Sequence, residues 1–435
     1  MARPRTRIPL NVHLNGKLVG RSRREASGAI DFQYDASWLA WEHALPVSLS
    51  LPLREDRFLG EPVIAVFDNL LPDNAEIRRR LAERVGADGY DAHSLLAAIG
   101  RDCVGALQFL PDGADPGAAG LVSGRPIEAR EIARMLADLK RAPLGLGEDQ
   151  EFRISLAGVQ EKTALLYWNK RWHVPHGTTA TTHILKPQIG KLTNGIDLSR
   201  SVENEHFCMK LVAALGLPCA HTEIQEFDGR RVLVVERFDR RRTRDKRLLR
   251  VPQEDCCQAL SVPPTRKYEP DGGPGIRQIV ELLKAGDTPD ADLKTFLKAQ
   301  IVFWLLGATD GHAKNFSIHL LPGGRFQMTP LYDVMSAQPN IDAGEIPKKK
   351  MKLAMAVGSN RHYTIDSIAP RHFVQTARRC GIAAALIDEI LNELAGRFQT
   401  ALDSVGSDLP ADFPEGLRES IAEGARRRVR LLEHA

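Results

Sequence analysis

The stretch that decides the fold is Asp310-Gly311-His312-Ala313-Lys314-Asn315, with Asp333 following eighteen residues after Asn315. Asp, four intervening residues and Asn is the spacing of a kinase catalytic loop. Phosphoryl transfer needs an acceptor hydroxyl held in line and a metal ion that neutralises phosphate charge. Amide and carboxylate oxygens are ligands that Mg²⁺ accepts. We therefore expect Asp310 to act as the base, and Asn315 and Asp333 to hold Mg²⁺.

The sequence after this loop reads as a hairpin. An apolar segment with strand character opens at Asn315, Pro322-Gly323-Gly324 is a strong turn signal, and a second strand returns over residues 325–331. Asn315 lies eight residues before Gly323 and Asp333 lies ten after it, so the hairpin brings both to its open end. Asp, His and Asn after a glycine are also common in turns and helix caps, so a purely structural loop fits the same spacing.

Length and composition bound the class of protein. A chain of 435 residues suggests two or three domains, and 43% apolar with 26% charged residues is typical of a soluble globular protein. The net charge of +4 is far below that of a strongly basic nucleic-acid binder. Six scattered cysteines without a CxxC spacing indicate reduced thiols. With neither a signal core nor a membrane-length apolar segment, the sequence predicts a cytoplasmic protein.

The distribution of strand and helix patterns predicts an α+β protein. Asn15-Gly16 between short apolar strands indicates a tight hairpin, and residues 68–74 end in a helix cap. Apolar residues from Leu293 to Leu305 predict a buried helix that mounts Asp310. A strand-rich lobe followed by a helical lobe is the architecture of protein kinases. The expected parts are a small N-terminal α/β domain at 1–120, a linker and helix at 121–150, a kinase N-lobe at 151–250 and a helical C-lobe at 251–435.

Four further features suit a nucleotide site. The small residues after Ser155 would let backbone amides approach phosphates, although a plain hairpin loop fits as well. Lys186 ends a strand and could reach phosphates, but a solvated lysine has the same pattern. Glu203 or Glu205 could pair with Lys186, and acidic residues in a first helical turn also simply suit the helix dipole. The segment 234–240 ends a strand where an interlobe hinge would offer backbone groups to adenine.

Taken together, these segments resemble the HipA family of bacterial Ser/Thr kinases, the toxins of HipBA toxin–antitoxin modules. The resemblance covers essentially the whole chain. The matching segments are FDNLLPDN (67–74), SLAGVQEKTALL (155–166), THILK (182–186), ENEHFCMKLVAALGLP (203–218), VERFDRR (235–241), PQEDCCQ (252–258), GGPGI (272–276), GATDGHAKNFS (307–317), LYDVMSA (331–337) and LPADFPE (409–415).

The resemblance implies ATP and Mg²⁺ as cofactors, Asp310 as catalytic base, and Asn315 and Asp333 as metal ligands. It implies that Ser155 is autophosphorylated, which expels its loop and silences the kinase because a dianion cannot share a pocket with ATP phosphates. Glu205 is a candidate ion-pair partner of the phosphate lysine. The implied nucleotide site comprises Ser155, Ala157, Gly158, Val159, Gln160, Glu161, Lys162, Lys186, Glu236, Phe238, Asp239, His312 and Lys314.

The resemblance also implies partners. Family members phosphorylate an aminoacyl-tRNA synthetase, with glutamyl-tRNA synthetase the expected target here, which halts translation and promotes persistence. They bind a helix-turn-helix antitoxin, HipB, that carries most of the operator DNA recognition. One alternative is a co-repressor with little catalysis, against which the intact Lys186, Asp310, Asn315 and Asp333 argue. Another is a small-molecule phosphotransferase with the same spacing, but the N-terminal domain and the Ser155 loop favour a protein substrate.

Overall fold

The computed structural model describes residues 9–25, 28–146, 153–158 and 160–432, which fold as a mixed α+β protein. The helices of these residues, α1 to α13 in chain order, are Ala36–Leu39, Glu61–Asp68, Ala75–Val85, Ala92–Ile99, Ala129–Ala137, Ser201–Ala214, Cys256–Ala259, Ile276–Leu283, Pro289–Leu306, Gln338–Asp342, Pro370–Arg379, Ala384–Ser407 and Glu415–Val429. Their strands, β1 to β20, are Leu10–Leu14, Lys17–Arg24, Ile30–Tyr34, Phe58–Leu59, Leu107–Pro111, Gly124–Pro126, Thr163–Trp168, Arg171–Pro175, His183–Pro187, Gly190–Lys191, Asp197–Leu198, Thr222–Phe227, Arg230–Glu236, Arg240–Arg242, Leu248–Arg250, Gln253–Asp255, Ser317–Leu320, Phe326–Met328, Lys352–Val357 and His362–Thr364.

The N-terminal part is built on a five-stranded antiparallel sheet in the order β4-β3-β2-β1-β5. Asn15 and Gly16 have φ values of 47° and 80° and form the predicted tight turn between β1 and β2. Phe67 of α2 packs edge-to-face against Phe32 and Phe109, with ring centroids 6.1 and 5.0 Å away. All three rings are fully buried, so α2 covers one face of the sheet.

The next part is a six-stranded antiparallel sheet in the order β12-β13-β9-β7-β8-β6. Its edge strand β6 comes from the segment 121–150, predicted as a linker and helix, so part of that segment joins this sheet. Helix α6 packs against β12 and β13. The central strand β9 carries Lys186 and α6 carries Glu205, so the two side chains belong to facing layers.

The remaining part is mainly helical and is centred on α9. Trp304 of α9 is fully buried and donates its indole N–H to the Ile365 carbonyl oxygen at 3.1 Å. Gly307, with φ 68°, ends the helix. A Cβ atom on Gly311 would come within 2.4 Å of the Phe303 ring, so only glycine lets the catalytic loop lie directly on α9. The predicted buried helix before Asp310 is therefore present.

The hairpin after the catalytic loop is shorter than predicted. Asn315 ends a 3₁₀ turn, β17 begins at Ser317, and β18 spans only three residues, while β16 adds a third strand to this sheet. The hairpin β19–β20 lies where helices were predicted. Leu353, Ala354, Met355 and Val357 of β19 are all buried, a short apolar run that the prediction overlooked. Within the described ranges, no helix has the length and apolar character needed to cross a membrane.

Five charged side chains form what we call the interdomain ion cluster, Asp102, Arg237, Asp239, Arg240 and Arg250. Asp102, from the N-terminal part, lies 2.9 Å from Arg240 and from Arg250. Arg237 and Asp239 pair at 2.8 Å, and all five side chains are buried. Burial alone would raise the pKa of Asp102, but Arg240, Arg250 and Arg237 lower it below its usual value. The cluster joins the two parts of the chain through ionised groups.

The buried carboxyl group of Glu254, on β16, should make the stability of the fold depend on pH. Its side chain accepts a hydrogen bond from the Leu49 amide at 2.8 Å, and burial raises the pKa of Glu254 to about 8 from a usual 4.5. Because the folded pKa is the higher one, the folded state holds the extra proton, and the free energy of unfolding falls as pH rises from 4.5 towards 8. We expect Glu254→Gln to remove this dependence on pH. The free energy of unfolding of the variant should therefore rise relative to that of wild type by about 2–4 kcal/mol between pH 5 and pH 8.

Urea unfolding at several pH values would check this expectation. Glu226→Gln, on an exposed part of β12, is the matched control and should keep the wild-type pH dependence. Equal pH slopes for the two variants would contradict the assignment.

Candidate active site

Lys186 lies between two carboxylates. Its Nζ atom is 2.8 Å from Glu205 Oε1 and 2.7 Å from Asp333 Oδ1. Burial would lower the pKa of Lys186, but Asp333 and Glu205 raise it above its usual range. Burial would likewise raise the pKa of Asp333, whereas Lys186 and Lys162 lower it. The Lys186 side chain is 7% exposed and the Asp333 side chain is 42% exposed. The ionised Asp333 carboxylate therefore bonds to a buried lysine and is itself accessible to solvent.

Asp310 and Asn315 meet at the catalytic loop. The Asn315 side-chain amide donates from Nδ2 to the Asp310 carbonyl oxygen at 2.7 Å, which leaves the amide oxygen as the atom able to bind a metal. The Asp310 carboxylate is 57% exposed, and its Oδ1 accepts the Tyr268 hydroxyl and lies 3.8 Å from His312 Nε2. An accessible carboxylate oriented by neighbouring groups can accept a proton from an incoming hydroxyl.

His312 is a buried side chain beside the Asp310 carboxylate. Burial lowers the pKa of His312 below its usual value, while Asp310 and, more weakly, Asp333 act to raise it. A hydrogen bond joins Asn315 to Asp310, and the residues next to Asn315 and Asp333 are joined by the bond from the Tyr332 hydroxyl to the Lys314 carbonyl oxygen. The convergence of Asp310, Asn315 and Asp333 on one cleft stays a prediction.

The backbone at Asp333 is held in an unusual conformation. Asp333 has a φ of 61°, which is rare for a residue with a side chain and occurs often at functional sites. The preceding Tyr332 donates its hydroxyl to the Lys314 carbonyl oxygen at 2.7 Å, and its ring packs on Phe238 with centroids 5.8 Å apart. These contacts fix the position of the carboxylate relative to the catalytic loop.

The donor set fits Mg²⁺. Across the part of the chain that the structure describes, no three His, Cys, Asp or Glu side chains are grouped as a metal site. Mg²⁺ commonly takes only one or two protein carboxylates and completes its coordination with phosphates and water. The Asp333 carboxylate and the Asn315 amide oxygen would be ligands of that kind.

The loop that begins at Ser155 places a second lysine beside the first. Ser155 is fully buried and donates its hydroxyl to the Leu70 carbonyl oxygen at 2.7 Å. Gly158 has a φ of 102°, and a Cβ atom there would lie 2.7 Å from Lys162 Nζ. Burial and the nearby Lys186 lower the pKa of Lys162 to about 8. The loop therefore contributes a buried amine next to Lys186.

Other predicted residues of this loop are placed around that amine. Gln160 donates to the carbonyl oxygen of the last β9 residue at 3.2 Å. Glu161 lies 3.4 Å from Arg80 of α3, so it faces the N-terminal part. Ala157 is half-buried, and Val159 lies outside the described residues.

The predicted hinge residues divide into two groups. Glu236 is exposed at the end of β13, and the half-buried Phe238 packs on His319 with ring centroids 5.9 Å apart. Asp239, predicted to be at the nucleotide, accepts the Gly105 amide at 2.7 Å within the interdomain ion cluster. Its carboxylate is committed to that cluster and does not reach the cleft.

Two family models match the chain. The model of the HipA N-terminal domain matches residues 10–110, and that of the HipA-like C-terminal domain matches residues 154–402. This chain belongs to the HipA family. It is 35% identical to the putative kinase Y4mE of Sinorhizobium fredii, over 97% of this chain and 98% of that relative. It is 29% identical to the serine/threonine-protein kinase toxin HipA of Shewanella oneidensis, over 93% of this chain and 90% of that relative.

A solved structure agrees with these relatives. The Shewanella oneidensis HipA in complex with HipB and its operator DNA superposes with a TM-score of 0.81, at 27% identity and over 98% of both chains. The predictions of HipA family membership, of a kinase-like α+β fold with an added N-terminal domain, and of Ser/Thr kinase activity are confirmed.

Three residues at the site of this HipA-family chain were not predicted, namely Tyr268, Lys267 and Asp73. Tyr268 contacts Asp310, while Lys267 and the predicted Lys314 both bind Asp73 of the N-terminal domain, at 2.8 and 2.7 Å. The sequence contains one weak signal for Asp73. Asp73 directly precedes the helix cap Asn74, and only Asn74 caps the first turn of α3, so the carboxylate of Asp73 is left for another partner.

Proposed function

We propose that this chain is an ATP- and Mg²⁺-dependent Ser/Thr protein kinase that acts in the cytoplasm as the toxin of a type II toxin–antitoxin module. Its substrate is an aminoacyl-tRNA synthetase, with glutamyl-tRNA synthetase the expected target, and its phosphorylation would inhibit translation and promote persistence. Two observations support the catalytic part: the hydrogen bond between Asn315 and Asp310 on the catalytic loop, and the pairing of Lys186 with both Glu205 and Asp333.

Each side chain has a part in the proposed reaction. The exposed Asp310 carboxylate accepts the proton of the acceptor hydroxyl, while Tyr268 and His312 orient it. Asn315 and Asp333 would hold Mg²⁺, which when bound with ATP neutralises charge on the phosphates. Glu205 positions Lys186 so that its ammonium group can contact those phosphates.

The HipA of Shewanella oneidensis supports the proposed partners. The relative that this chain matches over nearly its full length was solved with HipB and operator DNA. We therefore propose a HipB-like helix-turn-helix antitoxin as the partner of this chain, with operator DNA bound through that complex. The Shewanella relative is a serine/threonine-protein kinase toxin, which supports a protein acceptor over a small molecule for this chain.

Incubation with labelled ATP, Mg²⁺ and purified aminoacyl-tRNA synthetases tests the proposal. We expect label on one synthetase with the wild-type chain and none with Asp310→Ala, because proton transfer by a positioned base contributes about 10²–10⁴-fold. A result in which the two proteins label every synthetase equally, or label none, would refute it.

Ser155→Ala tests the proposed self-inactivation. The Ser155 hydroxyl is fully buried against the Leu70 carbonyl oxygen, where a phosphate dianion would be desolvated and repelled. Phosphorylation of Ser155 would therefore hold the loop out of the cleft. We expect transfer by Ser155→Ala to continue after the wild-type rate has fallen several-fold.

A progress curve on preincubation with ATP, with mass spectrometry of the loop peptide, measures this difference. Ser359→Ala, at an exposed serine, is the matched control and should decay as wild type does. Faster decay of Ser155→Ala than of Ser359→Ala would count against the assignment.

A further inference from the structure

The Asp73 carboxylate bridges two lysines of the C-terminal domain. Its Oδ1 accepts from Lys314 Nζ at 2.7 Å and its Oδ2 from Lys267 Nζ at 2.8 Å. All three side chains are largely buried, with Asp73 only 8% exposed. Burial would raise the pKa of Asp73, but Lys314 and Lys267 lower it to about 2. An ionised group from the N-terminal domain thus holds two separate elements of the kinase core.

Each of the two lysines is next to a contact within the active site. Lys314 directly precedes Asn315, and its carbonyl oxygen accepts the Tyr332 hydroxyl beside Asp333. Lys267 directly precedes Tyr268, the donor to Asp310. The Lys267 carbonyl oxygen also accepts the Ala313 amide of the catalytic loop at 3.3 Å. A shift of either lysine backbone would therefore move groups that touch the base or the metal ligands.

The loop that carries Tyr268 is otherwise fixed. The Tyr268 carbonyl oxygen accepts the amides of Asp271 and Gly273 at 3.1 and 2.9 Å. A Cβ atom on Gly273 would lie 2.0 Å from the Arg266 carbonyl oxygen, so this turn closes only around glycine. The Glu269 side chain accepts the Ala356 amide of β19 at 2.6 Å. The Tyr268 hydroxyl is mounted on a rigid turn whose N-terminal anchor is the Lys267–Asp73 pair.

We propose that Asp73 is a positioning residue of the kinase active site, through which the N-terminal domain sets the geometry of Asp310 and the catalytic loop. Asp73 touches no reacting atom and acts through Lys314 and through Lys267 and Tyr268. This inference rests on the proposed kinase function and adds to it that the N-terminal domain is part of the catalytic unit.

Asp73→Asn in the full chain tests the proposal. The amide keeps the shape of the side chain but leaves two buried ammonium groups without their counter-charge. We expect kcat to fall about ten- to a hundredfold, the effect of a small misplacement of catalytic groups, with KM for ATP within about threefold of wild type. The matched control is Ser50→Ala, which removes another interdomain hydrogen bond, from the Ser50 hydroxyl to the Gln258 carbonyl oxygen at 2.8 Å. Its kcat should equal that of wild type.

Amide hydrogen exchange gives a readout that does not need catalysis. We expect the Ala313 amide, bonded to the Lys267 carbonyl oxygen, to exchange faster in Asp73→Asn, while amides of β9 keep their wild-type rates. An unchanged kcat, or a raised kcat with a lowered KM for ATP, would overturn the proposal, the latter because Asp73 would then be blocking the lysines. If the wild-type chain transfers no phosphate, the proposed function fails, and unchanged exchange at Ala313 would overturn this inference separately.

Discussion

Asp333→Asn is expected to reduce phosphoryl transfer by at least about a hundredfold while changing nucleotide affinity by less than about tenfold. The asparagine amide can still bond to Lys186, so the phosphate lysine stays near its wild-type position. The substitution removes the negative charge of the Asp333 carboxylate, which is the stronger of the two proposed Mg²⁺ ligands. Because Phe238 and Glu236 are untouched, binding of the nucleotide base should be largely retained.

Single-turnover transfer and titration with a fluorescent ATP analogue measure the two quantities separately. Asp388→Asn, an equal change on the exposed face of α12, is the matched control and should behave as wild type in both. Equal losses of transfer and affinity in Asp333→Asn would argue against a metal-binding role.

Asp102→Asn should lower the free energy of unfolding by about 3–5 kcal/mol, since it removes one member of a buried set of ion pairs. Asp102 contacts Arg240, Arg250 and, at 3.5 Å, Arg237, and also accepts the Thr181 amide at 3.0 Å. Without its charge, only Asp239 would balance three buried guanidinium groups. The expected observation is a lower midpoint of urea unfolding followed by tryptophan fluorescence.

Glu131→Gln is the matched control for this change. Glu131 pairs with Arg125 at 3.0 Å on the surface, where both side chains are more than 40% exposed. Such pairs contribute little because water screens them, so the midpoint should not move. A wild-type midpoint for Asp102→Asn would show that the interdomain ion cluster does not stabilise the fold.

Elements with local sequence signals could be predicted, and those without them could not. The Asn15-Gly16 turn depends on backbone conformations with positive φ, which few residues adopt. The apolar residues of α9 predicted its burial because they surround the whole helix. The strand β19 was missed because its apolar residues run without a break from Leu353 to Val357, and such a run does not distinguish a strand from a helix.

The residues of the site also divide into those that local sequence patterns could predict and those that they could not. The hydrogen bond between Asn315 and Asp310 could be expected from their spacing, because both belong to one short loop. The residue pattern alone allowed Glu203 or Glu205 as the partner of Lys186, and Glu205 was the predicted candidate. In the fold Lys186 pairs with Glu205, whereas Glu203 pairs with Arg231 at 3.1 Å, a difference that depends on how α6 packs.

Long-range contacts explain the remaining differences. Asp73 and Lys314 are 241 residues apart, so no local pattern could join them. Asp239 was predicted at the nucleotide because its neighbours Glu236 and Phe238 match hinge positions. In the fold, Arg237 and Asp239 both turn to the N-terminal domain, and there Arg237 donates to the Cys103 carbonyl oxygen at 2.9 Å.

The interdomain ion cluster has a practical consequence for truncation. A fragment that began after the N-terminal domain would present Arg237, Arg240 and Arg250 to water with Asp239 as their one remaining carboxylate partner from the cluster, and would open the surface that Asp73 and Asp102 now cover. The complementary fragment would expose the Asp102 carboxylate beside freshly uncovered apolar side chains. Neither fragment would behave as the same part does in the intact chain. The two parts are therefore best studied by point substitution in the full chain.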